Sequence, residues 1–196
     1  VIDQGMYCIL NTHHDNGTCI VANKDNYVQT HERFEYLWKQ IAEEFKDYDE
    51  HLLFEGYNEV TDKTEPIDDA QWLEAYQAIN DYAQSFVNAV RSTGGNNAQR
   101  NLIVNTYGAC NGSGTWNTHL QDPLKMMKLP TDAVSNHLIF EVHTYVDVKN
   151  LNNAKNEVNQ IIRDVKNNLV SRGAPVIFGE WGTSTDNGYD NYRANM

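Results

Sequence analysis

Five short apolar runs, at residues 7–10, 52–54, 102–104, 138–142 and 176–178, set the terms on which this chain can fold. Each is too short for a helix and reads as a buried strand of a parallel sheet. The intervals carry helical spacing. Phe34, Leu37, Trp38, Ile41 and Phe45 fall on one helical face, as do Trp72, Tyr76, Ile79, Ala83, Phe86 and Val90. A third set is Leu151, Ala154, Val158, Ile161, Ile162, Val165 and Leu169. Residues 106–128 are less regular, with a Gly- and Asn-rich loop ahead of a short helix predicted at 119–128. Strands alternating with helices imply right-handed βαβ units. No linker interrupts the pattern, so residues 1–196 read as one domain.

Periodicity does not separate an open, doubly wound sheet from a (β/α)8 barrel, but the strand ends do. Asn11 and His13, Asn58 and Glu59, Asn105 and Tyr107, His143 and Tyr145, and Glu180 and Trp181 each follow a predicted strand. Side chains from many strands converge at a barrel mouth. In an open sheet the site concentrates at one switch point. The barrel is therefore the expected architecture.

Two of these strand-end residues are glutamates. Glu59 follows Asn58 where the second run stops, and Glu180 follows the run Val-Ile-Phe-Gly. A carboxyl pair is what hydrolysis of a bond between sugars requires: one protonates the leaving oxygen, and the other attacks the anomeric carbon or activates water. Either glutamate alone is as readily an exposed loop carboxylate. Their shared placement beside Asn58 and Trp181 favours the paired reading. His143 and Tyr145 share one strand face and can both reach a neighbouring strand's carboxylate, the alternative being a core histidine and a rim tyrosine. His13-His14-Asp15 invites a metal, yet adjacent residues of an extended chain point to opposite faces. No HExxH-like spacing occurs. No metal or cofactor is expected; one histidine is expected at the cleft, with His14 lining a subsite or packing. Tyr57, Tyr107, Trp116 and Trp181 are candidate platforms for the apolar faces of sugar rings. Trp38 and Trp72 lie on amphipathic faces and belong to the core.

Composition agrees with a neutral polymer as partner. The net charge of −12 argues against nucleic acid and anionic membranes, both of which reward basic surfaces. No apolar stretch approaches the ~20 residues of a membrane-spanning helix. Cys8, Cys19 and Cys110 show no zinc or CxxC spacing. Cys8 is expected to be buried, and Cys19 and Cys110 fall in loops that could approach one another. The chain starts at Val1 without an initiator methionine, so it is expected to begin mid-domain, and the lack of a signal peptide says nothing about export.

The segments ILNTHHD at 9–15, LLFEGYNEV at 52–60, FEVHTY at 140–145 and VIFGEWG at 176–182 together resemble glycoside hydrolase family 5, the cellulases and related β-glycanases. The resemblance covers essentially the whole chain and implies a metal-independent (β/α)8 barrel that retains anomeric configuration. It implies that Glu59 is the acid/base, with Asn58 beside it, and that Glu180 is the nucleophile. His13 would match the histidine after the third barrel strand, and His143 and Tyr145 the pair after the sixth. Val60 stands where family members usually have proline. On this alignment the five runs are strands three to seven of an incomplete barrel. The implied function is a retaining endo-β-1,4-glycanase acting on cellulose or mixed-linkage glucan, with xyloglucan or mannan as alternatives. The other readings are a non-catalytic carbohydrate binder and an inactive fragment of such an enzyme. The family implies a secreted or periplasmic protein, and the open sheet edges imply a homo-oligomer in which copies cover one another. Loops 15–26, 61–70 and 107–118 are expected to set substrate choice.

Overall fold

Five parallel strands pair strictly in chain order: β1 (Cys8–Asn11), β2 (Leu52–Glu55), β3 (Leu102–Asn105), β4 (Leu138–Val146) and β5 (Val176–Thr183). The computed structural model describes residues 1–13, 20–62, 66, 68–112 and 123–183. A doubly wound sheet reverses its strand order at a switch point. The order β1-β2-β3-β4-β5 has no reversal and is that of a sector of a (β/α)8 barrel. All five predicted strands are present. β4 and β5 run further than their apolar cores, into the polar residues His143–Val146 and Gly179–Thr183.

Helices α1 (Lys24–Glu44), α2 (Asp69–Arg91) and α3 (Leu151–Asn168) cross between strands. Each starts where a polar side chain takes up a free backbone N–H. Asn23 accepts from Asn26, Asp68 from Gln71, and Asn150 from Asn152 and Asn153. The α2 residues Trp72, Tyr76, Ile79, Ala83, Phe86 and Val90 are all buried. On α1 the stripe is narrower: Phe34 and Trp38 are buried, whereas Leu37 is exposed. On α3, Ala154, Ile161, Val165 and Leu169 are buried, while Leu151 and Ile162 remain exposed. Of the helix predicted at 119–128, the described part is a 3-10 turn at Pro123–Met126, where the leading proline supplies no N–H.

The core lies between the helices and the outward face of the sheet. Trp38 packs edge-on to Phe86 and against Phe54. Beneath it, at the N-terminal end of the strands, Arg100 is 2% exposed. It donates to Asn97 Oδ1 and to the carbonyls of Asp49, Leu52, Phe45 and Tyr48. Its guanidinium also lies over the Phe54 ring. One cation thus ties the α1–β2 connection to the start of β3. Cys8 is half-buried rather than fully buried, and Cys110 is buried beside the Tyr76 hydroxyl. Cys19 lies outside the described residues.

Candidate active site

The parallel registers assign side chains to two sheet faces. Asn11 pairs with Glu55, Glu55 with Ile103, Asn105 with Glu141, and Glu141 with Ile177. These residues share the inward face, while Phe54, Leu102, Phe140 and Val142 turn toward the helices. Four polar residues therefore stand side by side across the sheet. Asn105 Nδ2 donates to Glu55 Oε1 at 2.9 Å, and Asn11 also hydrogen-bonds Glu55. Burial, with the nearby charge of Glu141, pushes the Glu55 carboxyl up to about 7, against the pull of Asn105, His143 and Asn11.

One residue above this layer the ladder slips. Val142 pairs with Phe178 but His143 pairs with Glu180, so Gly179 is an extra residue, a β-bulge. In strict alternation Gly179 would face inward and Glu180 outward. The bulge turns Glu180 onto the face of Glu141, His143 and Tyr145. A Cβ on Gly179 would overlap Glu141 Oε1, so a larger residue there would displace that carboxylate.

Glu59 arrives from the loop after β2. Asn105 Nδ2 donates to the carbonyls of Tyr57 and Asn58. Trp38 Nε1 and Thr12 Oγ1 donate to that of Gly56. These bonds bring Glu59 Oε1 to 2.7 Å from His143 Nδ1. The same nitrogen is 3.7 Å from Glu180 Oε2. Tyr145 donates its hydroxyl to Glu180 Oε2 at 2.7 Å, and His13 Nε2 lies 3.7 Å from Glu180 Oε1. A carboxylate oxygen of Glu59, one of Glu180 and a ring nitrogen of His143 all lie within 4.8 Å of one another. Asn58 adjoins this cluster, with its Oδ1 buried and unpartnered among the described residues. The structure thus brings together Asn58, Glu59, His143, Tyr145, Glu180 and His13, from four separate segments.

Burial alone would lower the His143 value. The hydrogen bonds from its two nitrogens to Glu141 and Glu59, and the charges of Glu180 and Glu59, outweigh it and raise the imidazole to about 9. Below that pH the ring is protonated and donates from both nitrogens, to Glu141 and to Glu59. A second acidic group, Asp49, Glu50 and His51, is at the opposite end of the strands, remote from this cluster.

Three predicted sugar platforms need correcting. Tyr57 is 1% exposed, its hydroxyl bonded to the carbonyls of Asn105 and Ile79. Tyr107 is 4% exposed, packed on Tyr76 and Trp72, and accepts from the Asp62 backbone. Neither has a ring face open to a sugar. Trp181 is exposed, but it pairs with Thr144 on the helix-facing side. There it lines an apolar groove with Val146, Ile161, Ile162 and Phe178, across the sheet from both glutamates. His14 and Trp116 lie outside the described residues, as do parts of loops 15–26, 61–70 and 107–118. Glu55 and Glu141 were missed by sequence reasoning. The available signal was a glutamate following a phenylalanine inside an apolar run, which a buried strand tolerates only with partners.

The fold and paired carboxylates define a class, the barrel glycoside hydrolases. The sequence matches the cellulase family, glycosyl hydrolase family 5, over residues 1–196, and the chain belongs to that family. Endoglucanase 1 of Ruminococcus albus is 37% identical over 93% of this chain and 44% of its own length. A broad-specificity endoglucanase structure from an uncultured bacterium superposes with a TM-score of 0.89 at 44% identity, covering 99% of this chain and 58% of that one. A family 5 enzyme of Prevotella bryantii in complex with a xyloglucan tetradecasaccharide gives a TM-score of 0.80 at 43% identity, over 92% of this chain and 53% of that one. The chain spans less than two thirds of the length of each of these relatives.

Proposed function

We propose that this chain carries the catalytic pair of a retaining endo-β-1,4-glycanase acting on β-glucan chains, cellulose or mixed-linkage glucan. The observation that supports this most directly is the approach of the Glu59 and Glu180 carboxylate oxygens to within 4.8 Å. Retaining enzymes hold the two groups roughly 5–5.5 Å apart, whereas inverting ones leave about 6.5–9.5 Å for a water.

In the first step Glu180 attacks the anomeric carbon as the glycosidic bond breaks, and Glu59 gives its proton to the departing oxygen. In the second, Glu59 takes a proton from water, which attacks the same carbon and releases Glu180. The surroundings of the two groups differ as these roles require. Glu180 is held from two sides, by the Tyr145 hydroxyl and His13. Glu59 is held by the His143 ring and is 41% exposed, open to the leaving group and to water. Asn58, next to Glu59, is assigned to the sugar's 2-hydroxyl.

Glu59→Gln and Glu180→Gln should each abolish release of reducing sugar from barley β-glucan and carboxymethyl cellulose. Near-normal turnover by either variant refutes the assignment. Xyloglucan is the second substrate reading, favoured by the Prevotella bryantii relative bound to a xyloglucan oligosaccharide. A parallel assay on that polymer decides between them. A polymeric substrate also implies action outside the cytoplasm.

The same geometry supports self-association of the 196-residue chain when studied alone. Among the described residues β1 and β5 are open edges, and Tyr7, Ile9, Phe178 and Trp181 on or beside them are exposed. Sedimentation at low concentration should show a dimer or larger species; a monodisperse monomer refutes it.

A further inference from the structure

We propose that the buried Glu141 is the positioning residue for both catalytic glutamates, acting on Glu59 through His143 and on Glu180 through the Gly179 bulge. The inference rests on the assignment of Glu59 and Glu180 above. Its evidence is a run of contacts converging on one buried carboxylate. Glu141 is 3% exposed. Its Oε1 lies 3.1 Å from His143 Nε2, and the other ring nitrogen lies 2.7 Å from Glu59 Oε1. The same oxygen fills the space that a Cβ on Gly179 would take, at the residue whose insertion turns Glu180 inward.

A neutral imidazole has one N–H and can donate to only one of the two carboxyl groups; Glu59 accepts through Oε1, which leaves its other oxygen to carry the proton it gives to the leaving group. A ring bonded at both ends donates twice only as the cation. Glu141 is the counter-charge that keeps this cation in a buried place, and an unpaired buried ion of either sign would be costly. A space-filling role would be met as well by an apolar side chain without burying a carboxylate. His143 is faced by Glu141 and Tyr145 on its own strand, Glu180 on β5, Glu59 on the loop after β2 and, behind Glu141, Glu55 on β2. Asn111 Nδ2 donates to its carbonyl and carries no charge. With Glu141 neutralised, the ring loses its compensating partner on the buried side. It then releases its proton at lower pH and no longer donates to both ends. Glu59 loses its fixed orientation.

The test is Glu141→Gln, which preserves size and an acceptor oxygen but removes the charge. Side-chain ¹⁵N NMR of the 196-residue chain, with His143→Gln for assignment, reads the protonation of both ring nitrogens. In the wild type both are protonated at pH 7, and an unprotonated nitrogen there overturns the proposal without any variant. In Glu141→Gln the His143 midpoint should fall by roughly one pH unit or more; an unchanged midpoint overturns it. Kinetically, kcat on barley β-glucan should fall about tenfold or more, with KM within about twofold. The alkaline limb of kcat/KM should move to lower pH. An unchanged kcat and pH profile also overturns it. A wild-type chain without glucanase activity would strike down the functional assignment instead, and the NMR arm would still decide whether Glu141 holds the ring.

Discussion

Replacing Glu55 by glutamine isolates one buried proton and ties it to a number. The Glu55 side chain is 5% exposed, and burial beside Glu141 raises it from 4.5 to about 7. The folded protein therefore keeps a proton that the unfolded chain releases between those two pH values. Linkage fixes the sign: the stability this proton contributes is fully present below pH 4.5 and is lost as pH rises through about 7. At about 1.36 kcal/mol for each tenfold change in proton affinity, the full loss is about 3 kcal/mol. Glutamine removes the ionisation and keeps an oxygen for Asn105 Nδ2 to donate to. His143, raised from 6.5 to about 9, adds a second loss of the same sign at higher pH. It is common to both proteins, so it largely cancels in the difference. Urea unfolding followed by tryptophan fluorescence at several pH values gives the two curves. Wild type minus Glu55→Gln should fall by about 3 kcal/mol between pH 4.5 and 7.5 and then level off. A difference constant within about 0.5 kcal/mol would show that Glu55 holds no extra proton in the fold, and the electrostatic account of the inner layer would fail.

Two further outcomes follow from single contacts. Tyr145→Phe removes the 2.7 Å bond to Glu180 Oε2; with the ring half exposed this is worth about 1.5 kcal/mol, the low end for a charged acceptor. The expected result is a roughly tenfold fall in kcat on β-glucan, and an unchanged kcat contradicts it. Arg100→Met strands the buried carbonyls that the guanidinium serves and should cost about 3 kcal/mol or more in urea unfolding. A loss under about 1 kcal/mol would show that those carbonyls find other partners.

Some of the site is legible in the sequence alone, and the reason is local. Glu59 and Glu180 stand where apolar runs stop, and a strand end is visible in the sequence as a change of composition. His143 and Tyr145 are two positions apart, so their shared face follows from strand geometry alone. Trp38 and Trp72 were placed in the core by helical spacing and are buried there. The aromatic residues at strand ends were not legible in this way. Tyr57, Tyr107 and Trp181 have the composition of sugar platforms, but composition does not say where a ring points. The first two turn into the helix layer, and the third lies across the sheet from the glutamates.

What the sequence determined by itself is the alternation of strands and helices, the parallel barrel-type sheet, and the placement of two glutamates, the proposed catalytic pair, at strand ends. Each of these is carried by residue type, short-range period, or the order of motifs along the chain. What only the tertiary structure decided is which side chains meet. Glu59 and Glu180 are separated by most of the chain, and their approach within 4.8 Å is a property of strand order. The inward turn of Glu180 hangs on one extra residue in β5. Nothing in the run Val176–Gly179 distinguishes position 180 from 181, because its residues are apolar or glycine throughout and carry no period-two signal. The bulge, and the buried Glu141 carboxylate that occupies the space beside Gly179, exist only once β4 and β5 lie side by side.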